Sequence, residues 1–115
     1  MSYRIAIASS SGEAVDQHFG QAKNFLIYDV LEDKVEFVED REVRLNTDDA
    51  AHSDSNLETL ASLLHDCKAV FVLKIGQKAT LYLYAKGITS FAVNYSLNRI
   101  FTTLLKRQNG RIKVI

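Results

Sequence analysis

The sequence predicts an α/β domain, a five-stranded mixed sheet flanked by helices, on three observations. Apolar runs of strand length give way to helical periodicity in the order β, β, β, α, β, α, β, α. The second and third runs are separated only by Leu31, Glu32, Asp33 and Lys34, a turn short enough for an antiparallel hairpin. No proline occurs in the 115 residues and 47% of them are hydrophobic, enough for one ordinary core and too little chain for two. A single domain over residues 1–115 is therefore expected.

The first strand is Tyr3 to Ala8, a short β-rich run that ends in the small polar cluster Ser9, Ser10, Ser11 and Gly12. Phe25 to Val30 and Val35 to Val43 form the hairpin. Leu57, Leu60, Ala61 and Leu64 follow the i, i+3, i+4, i+7 rule of an amphipathic helix, with Ser55 and Glu58 as a capping box. Ala69 to Leu73 is a continuous apolar run bounded by charge, the pattern of a strand buried on both faces and central in the sheet. Gln77 to Lys86 is a second helix with Gly87 at its C-cap, and Ile88 to Val93 is the fifth strand. Leu97, Ile100, Phe101 and Leu104 give the core face of a third helix capped by Ser96, and Arg111 to Ile115 is expected to be a short extended segment.

This element order is characteristic of the ribonuclease H-like architecture, in which a hairpin flanks the first, fourth and fifth strands of a largely parallel sheet. The C-terminal ends of strands one, three, four and five then share one edge, and ligands of open α/β sheets bind outside such ends.

Charge narrows the partners. Fourteen basic residues balance fourteen acidic ones, so no overall field favours nucleic acid or an anionic membrane. The opening apolar stretch is too short for a signal segment, and nothing approaches the roughly 18 apolar residues of a membrane span. A cytoplasmic protein, monomeric or weakly dimeric, is expected. One cysteine, Cys67, excludes an internal disulfide and any multi-cysteine cage. Placed before a buried strand, it reads as a packed core thiol.

The edge loops hold the candidate chemistry. The first contains Asp16, Gln17, His18, Phe19 and Gly20, where an imidazole between small residues and a glycine can project as a borderline ligand for iron and similar metals. The competing reading is a packed, hydrogen-bonded histidine. The connection from the third strand to the first helix carries Arg41, Arg44, Asp48, Asp49 and His52, with His52 near a helix N-terminus; it reads equally as a solvated loop residue. After the fourth strand come Lys74, Ile75, Gly76, Gln77 and Lys78, where glycine permits close approach and lysine supplies positive potential, although Gly76 also suits a simple turn. GQKAT lacks the spacing of a P-loop. His65 suits a helix-end surface position, and Tyr82 and Tyr84 suit packing.

Catalysis has little support. A ribonuclease H-like nuclease holds carboxylates around two metals about 4 Å apart, normally with one on the first strand, whereas here that strand reads RIAIASS and the fourth AVFVLKIG. No serine lies in a GxSxG elbow. Acid-base work by His18 with Asp16 remains as an alternative, as does a non-catalytic protein-interaction module without a cluster of its own.

The segments VDQHFGQAKNFLIYDV and HSDSNLETLASLLHDCKAVFVLKIG, with Gly87 and Ile88 entering the fifth strand, resemble the dinitrogenase iron-molybdenum cofactor-binding family, which includes NifX and NafY type proteins and the C-terminal domain of NifB. The likeness covers nearly the whole chain. It implies a ribonuclease H-like fold and a non-enzymatic role in nitrogen fixation: binding and carrying iron-molybdenum cofactor, or its iron-sulfur precursor, among cofactor-assembly or nitrogenase proteins. By motif, it implies His18 and His52 as metal contacts, with Gln17, Phe19, Gly20, Lys74, Gly76 and Lys78 around the cluster. Many relatives carry a cysteine before the first helix, whereas Arg41 to Ala51 contains none. A finished cluster brings its own sulfides and needs only one or two protein ligands.

Overall fold

Alternation of apolar side chains sets the layers. In β1 (Tyr3–Ile7), Ala6 and the following Ala8 face one core, while Ile5 and Ile7 face a second. A computed structural model describes residues 2–44 and 54–113, with side chains for 2–44 and 56–107. Its further elements are β2 (Asn24–Val30), β3 (Val35–Glu42), α1 (Asp54–Leu63), β4 (Ala69–Val72), α2 (Gln77–Ala85), β5 (Thr89–Ala92) and α3 (Leu97–Lys113). The predicted order is the observed one.

The five strands form one mixed sheet in the order β3-β2-β1-β4-β5. β2 runs antiparallel to β1 and β3, and β4 and β5 run parallel to β1. The C-terminal ends of β1, β3, β4 and β5 therefore meet at one edge. The middle strand is β1 rather than β4, although β4 is interior and buried as its apolar run requires.

The first core lies under α1 and α2. Leu57, Leu60, Ala61 and Leu64, all on the predicted helix face, are buried there with Ala79 and Leu83 of α2 and with Phe25, Ile27, Val70 and Val72 of the sheet. The second core lies under α3, where Leu97 and Ile100 cover Ile5, Ile7 and Val30. Burying such side chains stabilises the fold by about 2 kcal/mol each. Ser96 caps α3 as expected, its hydroxyl accepting from the Arg99 amide at 3.1 Å. Gly87 ends α2 with φ +86°, a left-handed conformation that favours glycine.

Three local expectations change. β3 is an edge strand with Phe37 58% exposed, so its apolar residues are only partly used in the core. It also carries a bulge: Ile27 opposes Glu39 and Tyr28 opposes Phe37, leaving Val38 outside the register. α1 begins at Asp54, which places Ser55 within the helix instead of before it. Residues 111–113 continue α3 where an extended tail was expected; Asn109 and Gly110 weaken a helix but, without a proline, do not end it.

A charge network of Arg4, Asp29, Glu39, Arg41 and Asp66 ties the hairpin to the turn between α1 and β4. Arg4 of β1 grips Asp29 of β2 with two hydrogen bonds, at 2.7 and 3.1 Å, and gives a third to Asp66 at 2.9 Å. Arg41 of β3 grips Asp66 with two more, at 2.7 and 2.8 Å. Its guanidinium also reaches the Leu63 carbonyl at the end of α1.

Candidate functional site

Backbone hydrogen bonds bring the first edge loop against the loop after β4. The Leu73 amide donates to the Gln17 carbonyl at 2.8 Å, and the Phe19 amide donates to the Lys74 carbonyl at 2.8 Å. Between those two clamps sits His18. The loop is braced from its other side by the Asp16 and Gln17 amides, which both reach the Ala8 carbonyl at the end of β1. Asp16 is occupied locally, its carboxylate accepting from the Ser10 amide and hydroxyl at 2.9 and 2.8 Å.

His18 is exposed, and it makes no side-chain cap to the 3-10 turn Phe19–Gln21 that follows. Its neighbour Phe19 is the opposite, 2% exposed and packed at 6.1 Å from the Phe25 ring. The buried ring anchors the loop, so the imidazole is turned outward on a fixed base. Gln17 is likewise a brace: its amide donates to Asn24 Oδ1 at 3.0 Å and accepts from the Lys23 amide at 2.9 Å. Gly20 sits within the 3-10 turn.

His18 and Lys74 line one cleft of about 440 Å³ at the sheet edge. Its remaining wall comes from the loop between β5 and α3, through Val93, Asn94 and Tyr95. That loop is stapled to the first edge loop by the Val15 amide donating to the Tyr95 carbonyl at 3.0 Å and by the Leu97 amide donating to Glu13 at 2.9 Å. Arg99 stacks 3.9 Å above the Tyr95 ring, adding positive charge to this rim. Sequence reasoning did not single out Asn94, Tyr95 or Arg99. For Asn94 and Tyr95 the signal was available in their position, directly after the C-terminal end of a parallel strand; Arg99 follows in the first turn of α3.

Gly76 and Lys78 stand at the start of α2, outside the residues lining the cleft. A Cβ built on Gly76 meets nothing within 4 Å and its φ is −78°, so the glycine is not required by the turn and leaves open space at the helix N-terminus. His52 lies outside the described residues. His65 is exposed in the turn after α1, with Nδ1 3.0 Å from the Ser62 carbonyl. Tyr82 packs against the first core, while Tyr84 projects to solvent.

Cys67 is a core residue, as expected from its place before β4. It is 3% exposed, and burial pushes its thiol up to about 12, with the neighbouring Asp66 carboxylate adding to the effect. At neutral pH the thiol is therefore protonated and packed in the core. Among the described residues no group of three or more His, Cys, Asp or Glu could hold a bare metal ion. The cleft offers one imidazole, one ammonium and a carboxamide. That set suits an anionic object carrying most of its own ligands.

Comparison with known proteins gives a consistent result. The family model described as dinitrogenase iron-molybdenum cofactor matches residues 1–106. Protein NifX of Azotobacter vinelandii is 34% identical over 100 residues, covering 79% of this chain and 56% of NifX. The FeMo cofactor biosynthesis protein NifB of the same organism is 33% identical over 87 residues, covering 73% of this chain and 17% of NifB. This chain thus matches about half the length of the one relative and a small part of the other. Among solved structures, PH0822 superposes with a TM-score of 0.70 at 22% identity, covering 90% of this chain and 91% of that one. The apo form of the orange protein from Desulfovibrio gigas superposes with a TM-score of 0.61 at 21% identity, covering 91% and 88%. Both support the mixed-sheet α/β fold. Among the described residues no helix is long and apolar enough to cross a membrane.

Proposed function

Since the chain belongs to the dinitrogenase iron-molybdenum cofactor family, we propose that it binds and carries a preassembled metal-sulfur cluster, iron-molybdenum cofactor or its iron-sulfur precursor, as cargo during cofactor assembly. On this reading residues 1–115 form one cofactor-binding domain of ribonuclease H-like architecture, acting in the cytoplasm without catalysing a reaction. The sheet order β3-β2-β1-β4-β5, with the hairpin on one side of the parallel strands, supports that finer fold assignment.

One observation carries the reading: an exposed imidazole, His18, is clamped at the same cleft as Lys74 by a pair of backbone hydrogen bonds. His18 supplies one metal contact. Lys74 and the Asn94 amide hold the anionic surface of the cargo, with Gly76 and Lys78 at the flank. Phe19, Gln17 and Gly20 shape the loop and do not need to touch the cluster through their side chains. His52 is a second metal contact on this reading. A sparse ligand set lets a carrier release what it holds. The partners are cofactor-assembly or nitrogenase proteins that deliver and receive the cluster.

The test is an anaerobic titration of the full chain with isolated iron-molybdenum cofactor, followed by visible absorbance. Wild type binds, and His18→Ala binds at least about tenfold more weakly, the loss of one good ligand. Equal binding by the two proteins excludes His18, and no binding by wild type defeats the carrier reading.

A further inference from the structure

A larger cavity, of about 950 Å³, lies on the α3 face of the sheet and adjoins the His18 cleft at one end. It exists because α3 packs across β1 and β2, where Phe101 meets Tyr28 at 4.7 Å, and leaves β4 and β5 partly uncovered. Phe71 and Phe91 form its floor, stacked at 5.1 Å with 17° between their planes, and Phe91 remains 42% exposed. Ile100 and Leu104 of α3 form one wall. The volume is that of a small-molecule site, and the lining is largely aromatic and aliphatic.

The two ends of the groove differ in charge. At the end where β4 and β5 begin, Lys68 and Arg107 both line it, beside the hydroxyl-bearing Thr89 and Thr103. Neither cation pairs with a carboxylate among the described residues. At the other end the lining is Val93 and Tyr95, the same residues that wall the His18 cleft. From Thr89 to Val93 the strand advances about 13 Å, the reach of an extended chain of about ten carbons.

We propose that this groove is a second ligand site for an elongated apolar monoanion, a medium-chain aliphatic carboxylate. The carboxylate lies between Lys68 and Arg107, and the chain lies over Phe71 and Phe91 with its end against Tyr95. Two cations that pair with no carboxylate among the described residues select the anion, and burial of the chain supplies most of the affinity. The proposal stands whether or not the His18 cleft takes a cluster. Through Val93 and Tyr95, occupancy at one site touches the wall of the other.

The test uses the full chain and decanoate, kept below its micelle-forming concentration, with decanol and decylamine as neutral and cationic probes. Calorimetry is expected to show one decanoate per chain. Amide shifts in nitrogen-15 spectra are expected to concentrate at Thr89 to Val93 and Thr103 to Arg107. The double substitution Lys68→Ala with Arg107→Ala, at exposed positions, is expected to weaken decanoate at least about tenfold and leave decanol unchanged. Decanoate binding no better than decanol, or no binding by any probe, overturns the proposal. So does a dimer that covers Phe91 and is dispersed by Phe91→Asp, which would assign the groove to a second copy of the chain.

Discussion

The amide of Phe19 donates to the carbonyl of Lys74 at 2.8 Å, and with the Leu73 amide on the Gln17 carbonyl this bond holds together the backbone segments that bring His18 and Lys74 to the candidate cleft. Its strength depends on Phe19 being held in place by the core rather than on either polar side chain. Phe19→Ala removes a ring that is fully packed, and a loss of about 3 to 4 kcal/mol in urea unfolding is expected. Loss below about 1 kcal/mol would mean that the loop is anchored elsewhere.

Neighbouring positions on that loop separate support from contact. Gln17 bridges Lys23 and Asn24, so Gln17→Ala is expected to lower stability by about 1 to 2 kcal/mol. His18 is exposed, and His18→Ala is expected to stay within about 0.5 kcal/mol of wild type in the same measurement. A reversal of that ranking would assign the imidazole a structural part.

Asp66 receives both arginines, and the hydrogen bonds from Arg41 above all hold its carboxyl well below the usual carboxylate range despite partial burial. The unfolded chain has no such partners. The contribution of this group is therefore complete above the ordinary carboxylate value of 3.8, erodes as pH falls beneath it, and is gone once pH passes the folded value. Asp29, lowered by its bond from Arg4, acts in the same direction. Thermal melts of wild type are expected to hold level through neutral pH and drop steeply in acid. Asp66→Asn is expected to lose about 2 kcal/mol at pH 7, between the values for exposed and buried pairs, and to show a shallower acid decline. An unchanged acid profile would remove Asp66 from the account.

Gly87→Ala places a Cβ at φ +86°, where nothing crowds it but the backbone itself is unfavourable. A loss of about 1 to 2 kcal/mol is expected from chemical denaturation. A neutral result would show that the turn relaxes to a different conformation.

Much of this architecture was legible in the residues because periodicity and turn chemistry agree. The hairpin around Leu31 to Lys34, the buried face of α1 and the caps at Ser96 and Gly87 each follow from local pattern, and each is observed. The middle position of β1 was not legible, since a strand's order in a sheet depends on long-range pairing that its own sequence does not carry. Nor could alternation alone show that β3 would lie at the edge with Phe37 in solvent. At the candidate site, a loop histidine in sequence could be either packed or projecting. The outward imidazole became evident only with the burial of Phe19 beside it. Asn94 and Tyr95 were overlooked because amide and phenol side chains carry no motif, and only the fold places them opposite His18.

The burial of Cys67 has a practical consequence. As the only thiol in the chain, raised to about 12 and shut inside the first core, it cannot react with an alkylating reagent until the molecule opens. Labelling speed therefore reports the opening of this core, and counts single opening events where alkylation outpaces reclosing. The native sequence contains its own clock for unfolding, readable by mass spectrometry without an engineered probe.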